Sequence, residues 1–262
     1  MADIKASAVN APVWINKPIW VDLSSSDPEA SREFYAKVFG WQVEVSPDPQ
    51  YGGYAQAKIG GKDVAGIGPK MMPEAPTAWS VYIGIRDVDD LARKMQAAGG
   101  TVVAPPMQVG EQGSMAVFQD PSGAFISAWQ PGMMEGGLMT GAPGTFAWAE
   151  LNARGMEKAV AFYDAVFGWA HKAIPMGEGQ PPYTEFRIGG ERIAGGMEMN
   201  PMVPAQVPSY WMVYFAVDDV DATFRKAIGA GAREMMAPQN YPGGRFAILG
   251  DPQGAVFAIK TA

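Results

Sequence analysis

The chain repeats itself, and this duplication constrains its fold more than any other feature. The offsets between the repeated segments are 128, 129, 132 and 131 residues, so the register barely drifts along the chain. In the first pair, six of eight positions are identical. Two homologous halves are therefore expected. The paired segments are FYAKVFGW at 34–41 with FYDAVFGW at 162–169, IGGKDVAG at 59–66 with IGGERIAG at 188–195, IRDVDD at 85–90 with VDDVDA at 217–222, and DPSGA at 120–124 with DPQGA at 251–255.

A segment rich in glycine and proline separates the two halves. PGMMEGGLMTGAPG at 131–144 contains five Gly and two Pro, which is typical of a linker rather than of a helix or strand. We predict a first domain over 12–131, a linker over 132–144 and a second domain over 145–262. A chain of 262 residues is long enough for two domains of ordinary size.

Each half repeats one pattern twice: a short strand, a capped helix and three further strands. The first helix should begin after SSSD at 24–27, because Ser or Asp caps a helix and Pro28 suits the first helical position. It should end at Gly40. A second helix is expected over 88–98, and the second half copies both helices at 156–167 and 220–230. The sequence thus predicts an α+β fold of four βαβββ modules, two in each domain.

The order of these motifs resembles that of the vicinal oxygen chelate superfamily, the glyoxalase/bleomycin-resistance/dioxygenase fold. The resemblance rests on the FY-x-x-x-FGW block, the later V-x-D-V-D helix and the terminal D-P-x-G hairpin, and it covers both halves. It implies curved sheets that each form a cup, with helices packed on the outside. This fold hosts isomerases, dioxygenases, thiol transferases and metal-free drug-sequestering proteins, so the fold alone does not assign an activity.

Alternation along the strands indicates which side chains face each cup, since successive side chains of a strand point to opposite faces. In the first strand, expected over 13–23, Ile19, Val21 and Leu23 should lie under the helices. The first cup is then lined by Trp20, Asp22, Ser24, Ser80, Tyr82, Gly84, Phe125, Ser127 and Trp129. The second cup is lined by Trp148, Glu150, Met212, Tyr214, Val256, Ala258 and Lys260.

The resemblance also implies where a metal would be held. Metal-dependent members are similar in placing His or Gln on the first strand, His on the fifth and Glu on the eighth. Counting from the shared motifs puts poor ligands for a divalent cation at all six positions, so we expect no metal and no cofactor. The single histidine of the sequence, His171, is expected at the surface. The six residues are Trp20, Ser80 and Ser127 in the first half, and Trp148, Met212 and Ala258 in the second.

The leading functional hypothesis is metal-independent binding of a small hydrophobic or aromatic molecule in an aromatic-lined cup, as in the drug-sequestering members. An alternative is a metal-free lyase or isomerase in which Asp22 or Glu150 exchanges protons with help from Tyr82 or Tyr214. A metal-dependent glyoxalase-like or dioxygenase-like enzyme, and an interaction protein with degenerate cups, also stay open. The candidate ligand-binding residues are Trp20, Ser80, Phe125, Ser127, Trp129, Trp148, Met212, Val256 and Ala258.

Charge and composition narrow the possible partners. The chain has 20 basic and 27 acidic residues, for a net charge of -7, so it offers no basic surface to nucleic acid or anionic lipid. It contains no Cys, which excludes disulfides, and no apolar run near the roughly 18 residues that span a bilayer. The first twenty residues lack a signal-peptide core. We expect a cytoplasmic monomer or homodimer whose partner is a small molecule.

Overall fold

The computed structural model describes residues 14–137 and 140–262, and this part of the chain folds into sixteen strands and four α-helices. The first half contains β1 (Pro18–Ser25), α1 (Pro28–Phe39), β2 (Gln42–Val45), β3 (Ala55–Ile59), β4 (Lys62–Pro69), β5 (Ala78–Gly84), α2 (Val88–Ala97), β6 (Thr101–Val109), β7 (Gly113–Gln119) and β8 (Phe125–Pro131). The second half contains β9 (Phe146–Ala153), α3 (Met156–Phe167), β10 (Ala170–Ile174), β11 (Tyr183–Ile188), β12 (Glu191–Glu198), β13 (Tyr210–Val217), α4 (Val220–Gly229), β14 (Arg233–Tyr241), β15 (Gly244–Gly250) and β16 (Val256–Thr261).

The strands form two eight-stranded sheets, one from each half. Their orders are β2-β3-β4-β1-β5-β8-β7-β6 and β10-β11-β12-β9-β13-β16-β15-β14. The two modules of each half join through an antiparallel pair, β1 with β5 or β9 with β13, so no strand is exchanged between the sheets. The predicted α+β fold of tandem βαβββ modules is confirmed.

The helix ends follow the capping residues of the sequence. Asp27 caps α1 by accepting a hydrogen bond from the backbone N–H of Ala30, and Gly40 ends the helix in the left-handed conformation at φ 75°. Asp87 and Asp219 cap α2 and α4 in the same way. The second helix of each half, α2 or α4, ends one residue earlier than the sequence predicts.

One hydrophobic core lies on the helix-bearing faces of both sheets. Val21, Leu23, Val81, Ile83 and Ile126 point into this core, as alternation predicts, while two smaller apolar clusters occupy the cup faces. Each sheet thus buries apolar side chains on both faces, under the helices on one face and inside the cup on the other.

Ile19 was expected under the helices, and this expectation is wrong. The pairing of β1 with β5 shifts between Pro18, which lies opposite Ile83, and Trp20, which lies opposite Tyr82. This bulge adds one residue and turns Ile19 towards the cup, where it packs with Trp20 and Tyr82. The first strand also begins at Pro18 rather than at residue 13, which lies outside the described residues.

The repeated motifs connect the two halves to each other. The Tyr35 hydroxyl donates a hydrogen bond to Asp251 Oδ2 (3.0 Å), and the Tyr163 hydroxyl donates to Asp120 Oδ2 (2.8 Å). The FY block of each half therefore bonds the DPxG hairpin of the other half. The tryptophan of each FGW block also reaches across, since Trp41 Nε1 donates to the Gly144 carbonyl and Trp169 Nε1 to the Asn16 carbonyl.

The division into domains over 12–131 and 145–262 stays a prediction. Residues 12 and 13, and residues 138 and 139 of the predicted linker, lie outside the described residues. None of the helices in the described part of the chain is long and apolar enough to cross a membrane.

Candidate functional site

In the first cup, a carboxyl group is held by an indole and a phenol. Asp22 on β1 accepts hydrogen bonds at Oδ1 from the Tyr54 hydroxyl (2.7 Å) and from Trp20 Nε1 (3.0 Å). Burial raises the pKa of the Asp22 carboxyl, and the hydrogen bonds from Tyr54, Trp20 and Tyr82 partly oppose that rise. The carboxyl group therefore lies in a polar network within an otherwise apolar cup.

The second cup repeats this arrangement with a longer side chain. Glu150 on β9 accepts a hydrogen bond at Oε1 from the Tyr214 hydroxyl (2.9 Å), and Trp148 Nε1 donates to the Tyr183 hydroxyl (2.8 Å). Burial raises the pKa of the Glu150 carboxyl, and hydrogen bonds from Tyr214, Tyr183 and Asn152 oppose the rise. A Trp, a carboxyl group and two tyrosines thus recur in both cups.

Two glycines provide the space that these networks occupy. A Cβ atom at Gly66 would lie 1.9 Å from Asp22 Oδ1 and from the Tyr54 hydroxyl, and one at Gly195 would lie 1.8 Å from the Tyr183 hydroxyl. Neither Tyr54 nor Tyr183 is among the candidate residues that the sequence indicates. The duplication contains the missing signal, because Tyr54 and Tyr183 stand 129 residues apart, the offset of the neighbouring IGG segments.

The first cup is filled by its own side chains. The buried side chains that pack against one another here are Trp20, Tyr82, Met115 and Trp129. Two partly buried side chains, Trp14 and Met134, pack onto them. The start of the linker is fixed over this cluster, because Trp129 Nε1 donates to the Met134 carbonyl (2.9 Å) and the Gly137 N–H donates to the Ile19 carbonyl (3.1 Å). Little ring surface is left for a ligand in this cup.

The second cup is more open. Its floor is buried, with Met212 at 3% and Tyr214 at 8% exposure. Around that floor the rings of Trp148, Tyr210 and Phe246 are half-buried, and so is Val256. Tyr214 and Phe246 contact each other with ring centroids 6.4 Å apart. The second cup therefore leaves aromatic surface exposed beside a buried carboxyl group, which the first cup does not.

The residues at the six expected metal positions do not fit a divalent cation. Ser80 lies opposite Asp22, and the other five residues lie on or beside the cup faces: Trp20, Ser127, Trp148, Met212 and Ala258. Their indole, hydroxyl, thioether and methyl groups supply no strong ligand for a divalent cation. Among the described residues, no three His, Cys, Asp or Glu side chains lie close enough together to hold a metal ion.

The remaining predicted residues lie apart from the polar networks. Phe125, the first residue of β8, is 48% exposed and does not belong to the ring cluster around Trp20. Lys260 lies within β16, which persists to Thr261, and its Nζ donates to the Thr261 carbonyl (3.0 Å). His171 is exposed on β10, as expected. The structure thus brings together Asp22 with Tyr82 and Glu150 with Tyr214, but not Phe125 with its cup.

Comparison with known proteins shows which family and which relatives this chain is similar to. A family model, described as Glyoxalase/Bleomycin resistance protein/Dioxygenase superfamily, matches residues 17–127 and 145–259. The protein named "Putative glyoxylase CFP32" of Mycobacterium tuberculosis is 40% identical over 92% of this chain and 93% of its own length. The anthracycline biosynthesis protein DnrV of Streptomyces peucetius is 39% identical over 92% of each chain.

A solved structure agrees with the fold. The Mn(II)-bound glyoxalase from Novosphingobium aromaticivorans superposes with a TM-score of 0.65 at 18% identity, over 94% of this chain and 82% of that one. At this identity the likeness concerns the fold alone. Because the family model covers both halves and the relatives align along almost the whole chain, this protein belongs to the glyoxalase/bleomycin resistance protein/dioxygenase superfamily.

Proposed function

We propose that this protein binds a flat, hydrophobic organic molecule in the second cup, without supplying ligands for a divalent metal there. The observation that carries the proposal is the half-exposed ring surface of Trp148, Tyr210 and Phe246 around a buried floor. Apolar, aromatic walls with a few fixed polar groups are the usual composition of a small-molecule site. Each ring that stacks on a conjugated ligand adds about 0.5–1.5 kcal/mol beyond the burial of area.

The names of the relatives bear on this proposal in different ways. One relative is named for anthracycline biosynthesis, and an anthracycline contains a flat fused-ring system that matches ring-lined walls. Another is named a glyoxylase. Chemistry like that of the metal-dependent members would need metal ligands at the positions of Trp148, Met212 and Ala258. The side chains of these three residues supply no strong ligand for a divalent cation.

A second candidate function is proton transfer without a metal. The Tyr214 hydroxyl lies 2.9 Å from Glu150 Oε1, and burial raises the pKa of the Glu150 carboxyl above its ordinary value, which favours a proton that the carboxyl can exchange. In such an enzyme Glu150 would exchange a proton with the bound molecule while Tyr214 holds the carboxyl group in place.

The experiment that tests the proposal is ligand titration of matched variants. Fused tricyclic compounds, such as anthraquinones, should quench the intrinsic fluorescence of the wild-type chain. Trp148→Leu removes one stacking ring and should weaken binding by about 2- to 10-fold. The matched control is Trp20→Leu, which removes the equivalent indole from the filled first cup and should leave the dissociation constant of the folded protein unchanged.

Other outcomes discriminate among the candidates. No response to any flat compound, or an equal loss in both variants, would overturn the proposed site. About one tightly held cation per chain in elemental analysis would overturn its metal-free part. Turnover that Glu150→Gln abolishes while binding persists would establish the proton-transfer function instead.

A further inference from the structure

Glu150 is a buried acidic group without a basic partner. It is 9% exposed, and the Tyr214 hydroxyl donates a hydrogen bond to its Oε1 (2.9 Å), while Tyr183 and Asn152 lie near enough to lower the pKa of the carboxyl. Within residues 14–137 and 140–262, no Lys, Arg or His makes a salt bridge with it. A buried carboxylate is ordinarily paired with a positive charge, and none of the described side chains supplies one to Glu150.

A basic residue two strands away in the same sheet does not supply that charge. Lys260 on β16 pairs in register with Phe246, and its Nζ donates to the Thr261 carbonyl rather than to Glu150. A second carboxyl group in the same sheet shows the usual arrangement, because Glu185 on β11 forms salt bridges with Arg187 and Arg192. Two carboxyl groups of one sheet thus differ in whether the chain itself neutralises them.

The walls of the second cup favour a positive charge as well. Tyr183, Tyr210 and Tyr214 lie close enough to Glu150 that its negative charge contributes to raising the pKa of all three phenols. They therefore stay neutral at physiological pH and keep their rings as uncharged surfaces. The face of an aromatic ring carries partial negative charge, and it attracts an ammonium group within about 6 Å. The carboxyl group and the aromatic rings thus both attract a positively charged group.

Resting on the proposed function, we infer that the second cup selects a flat ligand which carries a positively charged amine, with Glu150 as its counter-ion. The fused rings of the ligand stack on Trp148 and Phe246 at the half-exposed wall. The amine reaches inward to the Glu150 carboxylate, where the tyrosine rings surround it. The first cup does not share this role, because its own side chains and the linker fill it.

The test uses three ligands that share one ring system and differ only in charge. At pH 8, 9-(aminomethyl)anthracene is a cation, 9-(hydroxymethyl)anthracene is neutral and 9-anthracenecarboxylate is an anion. Calorimetric titration of the wild-type chain should give a dissociation constant about tenfold lower for the amine than for the alcohol, and no measurable binding of the carboxylate. This comparison needs no variant.

Glu150→Gln should remove the preference for the amine and change the affinity for the alcohol by less than about threefold. Retained binding of the alcohol also shows that this variant is folded. The matched control is Glu185→Gln, which removes a carboxyl group already paired with arginine and should leave the preference unchanged.

The possible failures are distinguishable. If the alcohol binds as tightly as the amine, the inference about charge is overturned and the proposed function stands. If Glu150→Gln keeps the preference, Glu150 is not the counter-ion. If none of the three compounds binds, the proposed function is overturned, and the inference with it.

Discussion

At the scale of single residues, two acidic side chains determine the character of the cups. Asp22 and Glu150 occupy equivalent positions of the repeat, and both are held among aromatic rings by hydroxyl or indole donors. Burial disfavours the charged form and raises the pKa of each carboxyl, whereas the donors favour the charged form. The pKa of each carboxyl is therefore raised less than burial alone would raise it.

The raised pKa of Glu150 predicts how stability depends on pH. At pH values above 4.5, the ordinary pKa of this carboxyl group, the folded chain retains a proton on Glu150 more readily than the unfolded chain does. The contribution of Glu150 to stability is therefore fully present below about pH 4.5 and is lost as the pH rises through the raised value. Glu150→Gln cannot titrate at this position, so its free energy of unfolding should fall less than that of the wild type as the pH rises above about 4.5.

Urea titrations across this pH range measure the effect. Glu185→Gln is an informative control, because the hydrogen bond from Arg187 lowers the pKa of Glu185 and the sign of its linkage is reversed. Identical pH slopes for the wild type and Glu150→Gln would contradict the prediction.

At the scale of elements, the motifs that repeat most clearly hold the two halves together. Tyr163 on α3 donates to Asp120 in the hairpin before β8, and its hydroxyl accepts from Trp211 Nε1 on β13 (2.9 Å). Tyr35 on α1 makes the symmetric bonds with Asp251 and Trp79. The Asp120 and Asp251 carboxyls also accept backbone N–H groups of their own hairpins, which fixes them in place for the tyrosines.

Tyr163→Phe should therefore destabilise the protein. It leaves Asp120 Oδ2 and the Trp211 N–H without their buried partner, at a cost of about 1–3 kcal/mol in the free energy of unfolding. Denaturant titration measures this loss. The matched control is Tyr51→Phe, because the Tyr51 hydroxyl makes no side-chain hydrogen bond to the rest of the described structure. A loss of the same size in both variants would show that the bond between the halves contributes nothing specific.

At the scale of the whole molecule, the two halves share one core. Phe39 and Trp41 pack against Phe215, and Tyr35 packs against Phe257, with ring centroids 5.0–5.5 Å apart. The helix-bearing face of each sheet is thus buried partly by the other half. Separation would expose these rings to water, which is unfavourable in proportion to the apolar area exposed.

We expect that residues 14–137 and 140–262, produced as separate chains, do not form stable monomers. Each should aggregate or remain partly unfolded alone, and mixing the two should restore a cooperative thermal transition. Size-exclusion chromatography and circular dichroism measure these properties. A separate half that is monomeric and melts cooperatively would contradict the prediction.

The sequence by itself determined the duplication, the four βαβββ modules, the helix caps and most of the strand faces. These features depend on local rules: capping residues act within one turn, and alternation needs no distant partner. The sequence also indicated that Glu150 and Tyr214 share a face, because alternation along their two strands directs both side chains to the cup.

Only the tertiary structure decided that the modules pair within each half, that a bulge turns Ile19 into the first cup, and that residues 134–137 cover that cup. The roles of Tyr54 and Tyr183 likewise appeared only in three dimensions. Each of these features arises from contacts between segments far apart in the chain, where side-chain packing rather than local preference sets the conformation. For this reason two cups with nearly the same lining pattern differ in how much aromatic surface stays exposed.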